Sequence, residues 1–381
     1  MRLAAALFVL AAAAAGAAAP NPARRLQSIV DDLVAGDPAI RNCVLALARG
    51  DGSFAWSSAA GVSRGEPMSA QTPIYAASVT KLYTATLVML LHERGALSLE
   101  DPMAKFLPAD LVRGINRYGG TEHSGEVTLA QLLSHRSGIA DYYTERGGDR
   151  NSVAELLRRQ PARRWSIEQL LARVRDDLQP RAAPGARTYY SDTNYLLLGK
   201  VIEAVTGRPL HEAYEQSLFK PLGLHHTWLV GHPRGAAGEA PVAQVFRGDA
   251  DITLSRSNPA YWADGGIVST APEMLAFLKA LNTGVIVKRE SLALMHQWHN
   301  MDFPLQYGYG TMRFDATRLA RKTLGVRPLW GHSGSTGSFL YYCEELDVYL
   351  AGTIDQTESK VKPFVLMERA LRAVAMGSAS K

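Results

Sequence analysis

Cysteine is nearly missing from this chain: Cys43 and Cys343 are the only two in 381 residues. Two cysteines admit at most one disulfide, and neither lies near the N-terminal apolar run, which excludes lipoprotein processing there. Familiar cofactor signatures are also lacking, with no phosphate loop and no dinucleotide fingerprint. His211-Glu212-Ala213-Tyr214-Glu215 begins like a zinc-protease helix but lacks the second histidine. His135 and His225-His226 have no Cys or His companions at ligand spacing and read as surface or packing residues. Gly331-His332-Ser333-Gly334 continues with Ser335, so the Gly-x-Ser-x-Gly elbow of α/β-hydrolases is missing too. These gaps point to chemistry without metal or cofactor. Charge is nearly balanced: 41 Lys and Arg against 36 Asp and Glu give +5, spread along the chain, which argues against a nucleic-acid surface. There is no internal repeat and, past the first residues, no low-complexity tract.

What is present begins with a leader. Met1-Arg2, then Leu3-Ala4-Ala5-Ala6-Leu7-Phe8-Val9-Leu10 and a run of alanines, reads as a secretory signal peptide over 1–19. Small residues at 16–19 offer cleavage sites, and Pro20 favours Ala18 over Ala19 as the end. The apolar core is short for a membrane span. The expectation is an exported protein, periplasmic or extracellular, without stable membrane insertion; an uncleaved anchor is the alternative. At 47% hydrophobic and 20% charged, the whole chain has ordinary globular composition with enough apolar residues for a large core.

The chemistry centres on Ala76-Ala77-Ser78-Val79-Thr80-Lys81, which leads into a stretch free of Gly and Pro over 82–94. In a helix starting near Ser78, residues i and i+3 share a face, so Ser78 and Lys81 can touch. The first-turn amides and helix dipole favour negative charge at that point. That is an activated serine nucleophile. Ser217-Leu218-Phe219-Lys220 has the same spacing but lies late in an amphipathic segment that Pro221 ends, so it lacks a helix start beneath the serine.

Two further stretches add polar groups. Pro184-Gly185-Ala186-Arg187-Thr188-Tyr189-Tyr190-Ser191-Asp192 is a turn before a helix capped by Ser191 or Asp192, with Tyr190 just outside. A tyrosine near a lysine ammonium has its pKa lowered and can act as general base. Trp330-Gly331-His332-Ser333-Gly334-Ser335-Thr336-Gly337 is a small-residue strand and turn that lets a ligand approach the backbone.

Ser-Val-Thr-Lys, Tyr-Ser-Asp and His-Ser-Gly, in that order, resemble the serine β-lactamase and penicillin-binding-protein superfamily. The tyrosine and histidine forms are similar to its class C branch, which includes D-alanyl-D-alanine carboxypeptidases, D-aminopeptidases and family VIII esterases. Leu132-Leu133-Ser134-His135-Arg136-Ser137-Gly138 and Ala263-Asp264-Gly265-Gly266 also look like stretches of that branch, and the likeness covers about 25–374. The resemblance implies Ser78 as acylated nucleophile, with Lys81 and Tyr190 sharing base work. It implies an oxyanion hole of the Ser78 and Ser335 amides, His332 completing the polar cluster, and Asp192, Ser333, Gly334 and Thr336 at the substrate, Ser333 or Thr336 taking a carboxylate. One residue departs: Asp192 stands where the family usually has asparagine. An ionised carboxylate only accepts hydrogen bonds, so it holds Lys81 charged and shifts base work toward Tyr190.

Strand patterns at both ends around a helical middle predict an α/β (α+β) fold: one antiparallel sheet built from both termini with helices on its faces. The sheet part is expected at about 25–95 and 260–381, with an inserted all-helical subdomain at about 96–259, all within one domain over 20–381. The arginine-rich stretch 145–164 reads as a solvated insertion, with a lid as the alternative. The family's sheet order puts Cys43 and Cys343 two strands apart, about 9.6 Å, too far for a bridge and implying two free thiols. The expected activity is acyl transfer from a peptide or peptidoglycan-type substrate by a D-alanyl-D-alanine carboxypeptidase or peptidase. A carboxylesterase, a class C-like β-lactamase and a non-turnover penicillin-binding sensor are the alternatives.

Overall fold

The computed structural model describes residues 21–232, 241–258, 260–301, 304–315 and 327–378; the expected signal peptide lies outside them. No helix among the described residues is long and apolar enough to cross a membrane.

Local sequence explains the first elements. Asn21 caps helix α1 (Pro22–Gly36) by accepting from the Ala23 amide at 3.0 Å, and Leu26, Ile29 and Val30 form its buried stripe. Strands β1 (Asn42–Arg49) and β2 (Ala55–Ser63) follow across the turn that holds Asp51 and Gly52, then the short β3 (Glu66–Pro67). The sheet resumes in the C-terminal third with β4 (His299–Asn300), β5 (Leu305–Tyr307), β6 (Met312–Phe314), β7 (Leu329–Ser333), β8 (Phe339–Cys343) and β9 (Val348–Thr353). The order β4-β5-β6-β7-β8-β9-β1-β2-β3 is antiparallel throughout, so both ends of the chain meet at the β9/β1 pair. The sheet predicted from the sequence is therefore present, with short β4 and β5 added at one edge.

Alternation along β1 sorts its side chains onto two faces. Cys43, Leu45 and Leu47 pack with α1 and the C-terminal helix, whereas Val44 and Ala46 face the larger core beneath helix α2 (Thr80–Glu93). Every residue from Thr80 to Leu91 is buried, the mark of a helix enclosed on all sides. Helix α3 (Asp192–Thr206) packs against it from the insert and ends at Gly207 in the left-handed conformation. Helix α4 (Ala271–Asn282) covers the β1/β9/β8 region on the same side as α2, and helix α5 (Lys362–Ser378) pairs with α1.

The regular structure of the insert is mainly helical but not all-helical. Trp228–Leu229 pairs with Ile267–Ser269, which pairs in turn with Ile74–Tyr75. The Ile74–Tyr75 strand leads into α2, and both its residues are buried, so their backbone groups need partners that the main sheet does not supply. The stretch 145–164 is packed down rather than poised over the site. Ser152 and Glu155 form a capping box for Val153–Arg159, Val153 and Leu157 enter the core, and Asn258 Nδ2 donates to the carbonyls of Pro161 and Arg163 at 3.1 and 2.8 Å.

Both cysteines are free and buried. Val44 lies opposite Thr353, which puts Cys43 level with Ile354, while Cys343 lies opposite Val348, so besides two strand widths the thiols are offset along the sheet by about six residues, roughly 20 Å.

Candidate active site

Ser78 follows a strained residue: Ala77 has φ +48°, a conformation that costs a non-glycine residue about 1–2 kcal/mol. The turn Ala77–Val79 then feeds α2, so Ser78 sits at the mouth of a buried helix. Lys81, one turn on, is fully buried. Its ammonium donates to Ser78 Oγ at 3.3 Å and to the Asp264 carbonyl at 2.7 Å, and pairs with Asp192 Oδ1 at 2.5 Å. Burial disfavours the charge, but Asp192, Tyr190 and Asp264 outweigh it, and the lysine is held protonated well above its ordinary range.

Tyr190 lies between α3 and the sheet with the Lys81 ammonium 5.0 Å from its ring. Its hydroxyl interacts with both Ser78 and Lys81. The sequence-based expectation of a lowered phenol pKa is not met. Burial pushes Tyr190 up to about 12, Lys81 and the two hydrogen bonds pull it down, and Asp192 pushes it up again. A nearby cation is not enough when the phenol end is desolvated and the cation already has a carboxylate partner. Around neutral pH the resting pair is an ammonium and a neutral phenol.

Residues that the motifs did not single out complete the cluster. His135, read from sequence as surface or packing, is buried with its ring centroid 4.3 Å from that of Tyr190. Its Nδ1 accepts from the Ser191 amide at 3.2 Å and from Asn194 Nδ2 at 3.1 Å, which puts the proton on Nε2. Burial, the Lys81 charge and His332 keep it neutral. Asp141 accepts from the Asp192 amide at 2.9 Å, and its pKa is raised to about 7 by burial and then by the Asp192 charge. Asp264 receives the Tyr142 hydroxyl at 2.9 Å and is also raised, by burial and by Asp192. Lys81 therefore faces Asp192 with further acids close behind.

His332 joins this cluster through an intermediary. Its Nδ1 donates to the Ser333 carbonyl at 2.7 Å, leaving Nε2 to accept from the Tyr307 hydroxyl at 3.0 Å; its ring is 6.5 Å from that of Tyr190. Burial and Lys81 push its pKa down to about 3. The only sequence signal for Tyr307 was an aromatic at the start of Tyr307-Gly308-Tyr309-Gly310.

Neither the Ser78 nor the Ser335 amide has an acceptor among the described residues, as an oxyanion hole requires. Both residues line a cavity of about 350 Å³ with Tyr190, Ser333 and Gly334; Met301, Leu305, Met312 and Phe364 give it an apolar wall and Lys360 stands at its rim. Ser333 Oγ is 2.8 Å from the Tyr341 hydroxyl. Thr336 departs from the expectation of substrate contact: it is fully buried and donates to the Tyr75 carbonyl at 3.1 Å. Ser338, donating to the Ala76 carbonyl at 2.7 Å, clamps the same junction. These two hydroxyls tie the Ser335 turn to the segment ahead of Ser78.

Comparison with known proteins places the chain in a family. A family model described as Beta-lactamase matches residues 30–373. The chain is 30% identical over 295 residues to penicillin-binding protein 4 of Amycolatopsis lactamdurans, covering 70% of this chain and 66% of that one. It is 29% identical over 161 residues to a putative D-alanyl-D-alanine carboxypeptidase of Escherichia coli K12, covering 40% and 32%. It thus spans less than two thirds of the length of either. Among solved structures, a D-stereospecific amidohydrolase from Streptomyces sp. superposes with a TM-score of 0.70 at 27% identity, covering 89% of this chain and 95% of that one.

Proposed function

The chain belongs to the Beta-lactamase family, and on that premise we propose that it is an exported serine hydrolase working through an acyl-enzyme on Ser78, of the D-alanyl-D-alanine carboxypeptidase or peptidase kind. One observation carries the reading: Ser78 and Tyr190 line one cavity, and the buried Lys81 ammonium lies 3.3 Å from Ser78 Oγ. The relatives named as a penicillin-binding protein and a putative D-alanyl-D-alanine carboxypeptidase support the substrate class.

A phenol with a pKa of about 12 is a poor standing base but a good shuttle. As Ser78 Oγ bonds to the substrate carbonyl carbon, its proton passes to the Tyr190 oxygen while the proton of Tyr190 moves to the leaving nitrogen or oxygen, whose bond to carbon breaks. The phenol never has to ionise beforehand. The Lys81 charge faces the negative charge developing on the serine and tyrosine oxygens. The Ser78 and Ser335 amides take the carbonyl oxygen, each donor lowering the barrier by about 3 kcal/mol. In deacylation water follows the same path, giving its proton to Tyr190 while the phenol proton returns to Ser78 Oγ and the acid leaves.

A carboxylesterase is the second reading, and Asp192 favours it. Amide substrates gain from a side-chain donor to their acyl amide carbonyl, and a carboxylate engaged with Lys81 at 2.5 Å offers none. Intact-mass spectrometry after exposure to p-nitrophenyl esters, penicillin and a D-alanyl-D-alanine peptide tests both readings. The expected result is a mass increase of one acyl group on the wild type, absent from Ser78→Ala, with the peptide turned over. Turnover of esters alone selects the esterase. A lasting penicillin adduct without turnover selects a sensor, and acylation of Ser78→Ala removes the mechanism.

A further inference from the structure

A second cavity of about 610 Å³ is lined by Tyr190 but not by Ser78. Tyr190 and Met301 line both it and the nucleophile cavity, so the two adjoin at those side chains. Its lining carries two guanidiniums, Arg136 and Arg187, with His299 and Asn300 and no acid. Arg136 is firmly placed: its guanidinium donates to the Gly185 carbonyl, and the Gly185 amide donates back to the Arg136 carbonyl at 2.7 Å. Arg187 donates to the Arg181 carbonyl at 3.0 Å and sits 5.9 Å from the Tyr189 ring centre. Neither guanidinium has a carboxylate partner among the described residues. Glu145, the acid that receives the Tyr189 hydroxyl, is engaged by Arg181. The positive field reaches His299, whose proton affinity is lowered by burial and by Arg136.

We propose that Arg136 and Arg187 form an anion subsite that binds a carboxylate on the leaving portion of the substrate. This rests on the hydrolase reading, because the leaving atom must lie where Tyr190 can protonate it, and Tyr190 itself lines the arginine cavity. Each guanidinium has given one donor to a backbone carbonyl and keeps others in the fork geometry that suits a carboxylate. A substrate whose leaving group ends close to the scissile bond would not reach past the ring. The occupant is a longer or branched leaving group, such as an amino acid or phenol with a distal carboxylate. Lys360, which lines the nucleophile cavity and not the arginine cavity, is the rival cation.

The test compares N-acetyl-D-alanyl esters of 4-hydroxybenzoate and of its carboxamide. In Ser78→Ala protein, calorimetry should show the carboxylate ester binding roughly tenfold more tightly, about the worth of one charge-assisted contact. Adding Arg136→Gln and Arg187→Gln together should bring the two esters to parity, Arg187→Gln alone should remove part of the preference, and Lys360→Gln should leave it. The same ranking should hold for kcat/KM when Ser78 is present. Preference that survives the double variant, vanishes with Lys360→Gln, or is missing from the start overturns the subsite. If Arg136→Gln does not fold, Arg187→Gln with a salt titration decides, since the preference must fall as ionic strength rises. Selective binding without acylation or hydrolysis would remove the hydrolase reading and leave the subsite standing.

Discussion

Asp192 and Lys81 act as one unit. The 2.5 Å contact inside a buried site keeps the ammonium charged, and the neighbouring Asp141 and Asp264 keep their protons to higher pH because of their burial and then because of the nearby Asp192. Replacing Asp192 by asparagine removes that charge while keeping the shape. The proton affinity of Lys81 falls toward that of a usable base, and the new side-chain amide can donate to a substrate carbonyl. Amide substrates benefit from both changes, whereas esters, with a better leaving group, need them less. Asp192→Asn is therefore expected to raise the amide-to-ester ratio of kcat/KM by roughly tenfold. Paired amide and ester substrates with one acyl group measure it, and an unchanged ratio would count against the role given to the carboxylate.

Two chain segments have to approach closely for the oxyanion hole to exist, the Ile74–Tyr75 strand running into α2 and the turn between β7 and β8. Gly334 permits it. A Cβ there would stand 2.5 Å from the Ala76 carbonyl oxygen and 3.0 Å from Ala77 Cβ, and would also meet Ser338 Oγ. Gly334→Ala must push the turn outward and carry the Ser335 amide away from that of Ser78. Loss of one such donor costs about 10²–10³ in kcat, and p-nitrophenyl ester hydrolysis should show it with KM nearly unchanged. Wild-type kcat in the variant would mean that Ser335 is not a hole donor. This junction was legible in part from sequence. Ser78 and Lys81 are three residues apart on one helix, and the small residues around Gly334 advertise a close approach; both are local signals. His135, Asp141, Asp264 and Tyr307 were not singled out because tertiary contacts alone bring them together. Nothing in Ser134-His135-Arg136 says that the Ser191 amide will orient the imidazole beneath Tyr190. For the same reason sequence supplied the cation beside Tyr190 but not the burial that outweighs it.

Across the whole molecule, three buried acids shape stability as a function of pH. Asp141 and Asp355 are raised to about 7, and Asp264 is raised as well, burial being the largest cause in each. Asp355 is far from the lysine: it follows β9, at φ +45°, receives the Thr353 hydroxyl at 2.9 Å, and leaves its second oxygen buried without a donor. A carboxyl whose folded pKa lies above its unfolded value binds more protons folded than unfolded between the two. Its contribution is full below about pH 4 and is lost as pH rises toward 7. For Asp355 a shift of about three units sets an upper limit near 4 kcal/mol on that loss. These acids therefore pull the urea midpoint down between pH 5 and pH 8, while the buried neutral His135 and His332 pull it up, so the part due to Asp355 is read as a difference between proteins. Asp355→Asn cannot titrate, and asparagine tolerates the left-handed backbone, so the variant should show a distinctly smaller fall even if its buried amide lowers stability at pH 5. The decisive quantity is the difference between the two pH values rather than either stability alone. An equal fall in wild type and variant would place the titrating acids elsewhere, with Asp141 and Asp264 in the catalytic cluster carrying the whole dependence.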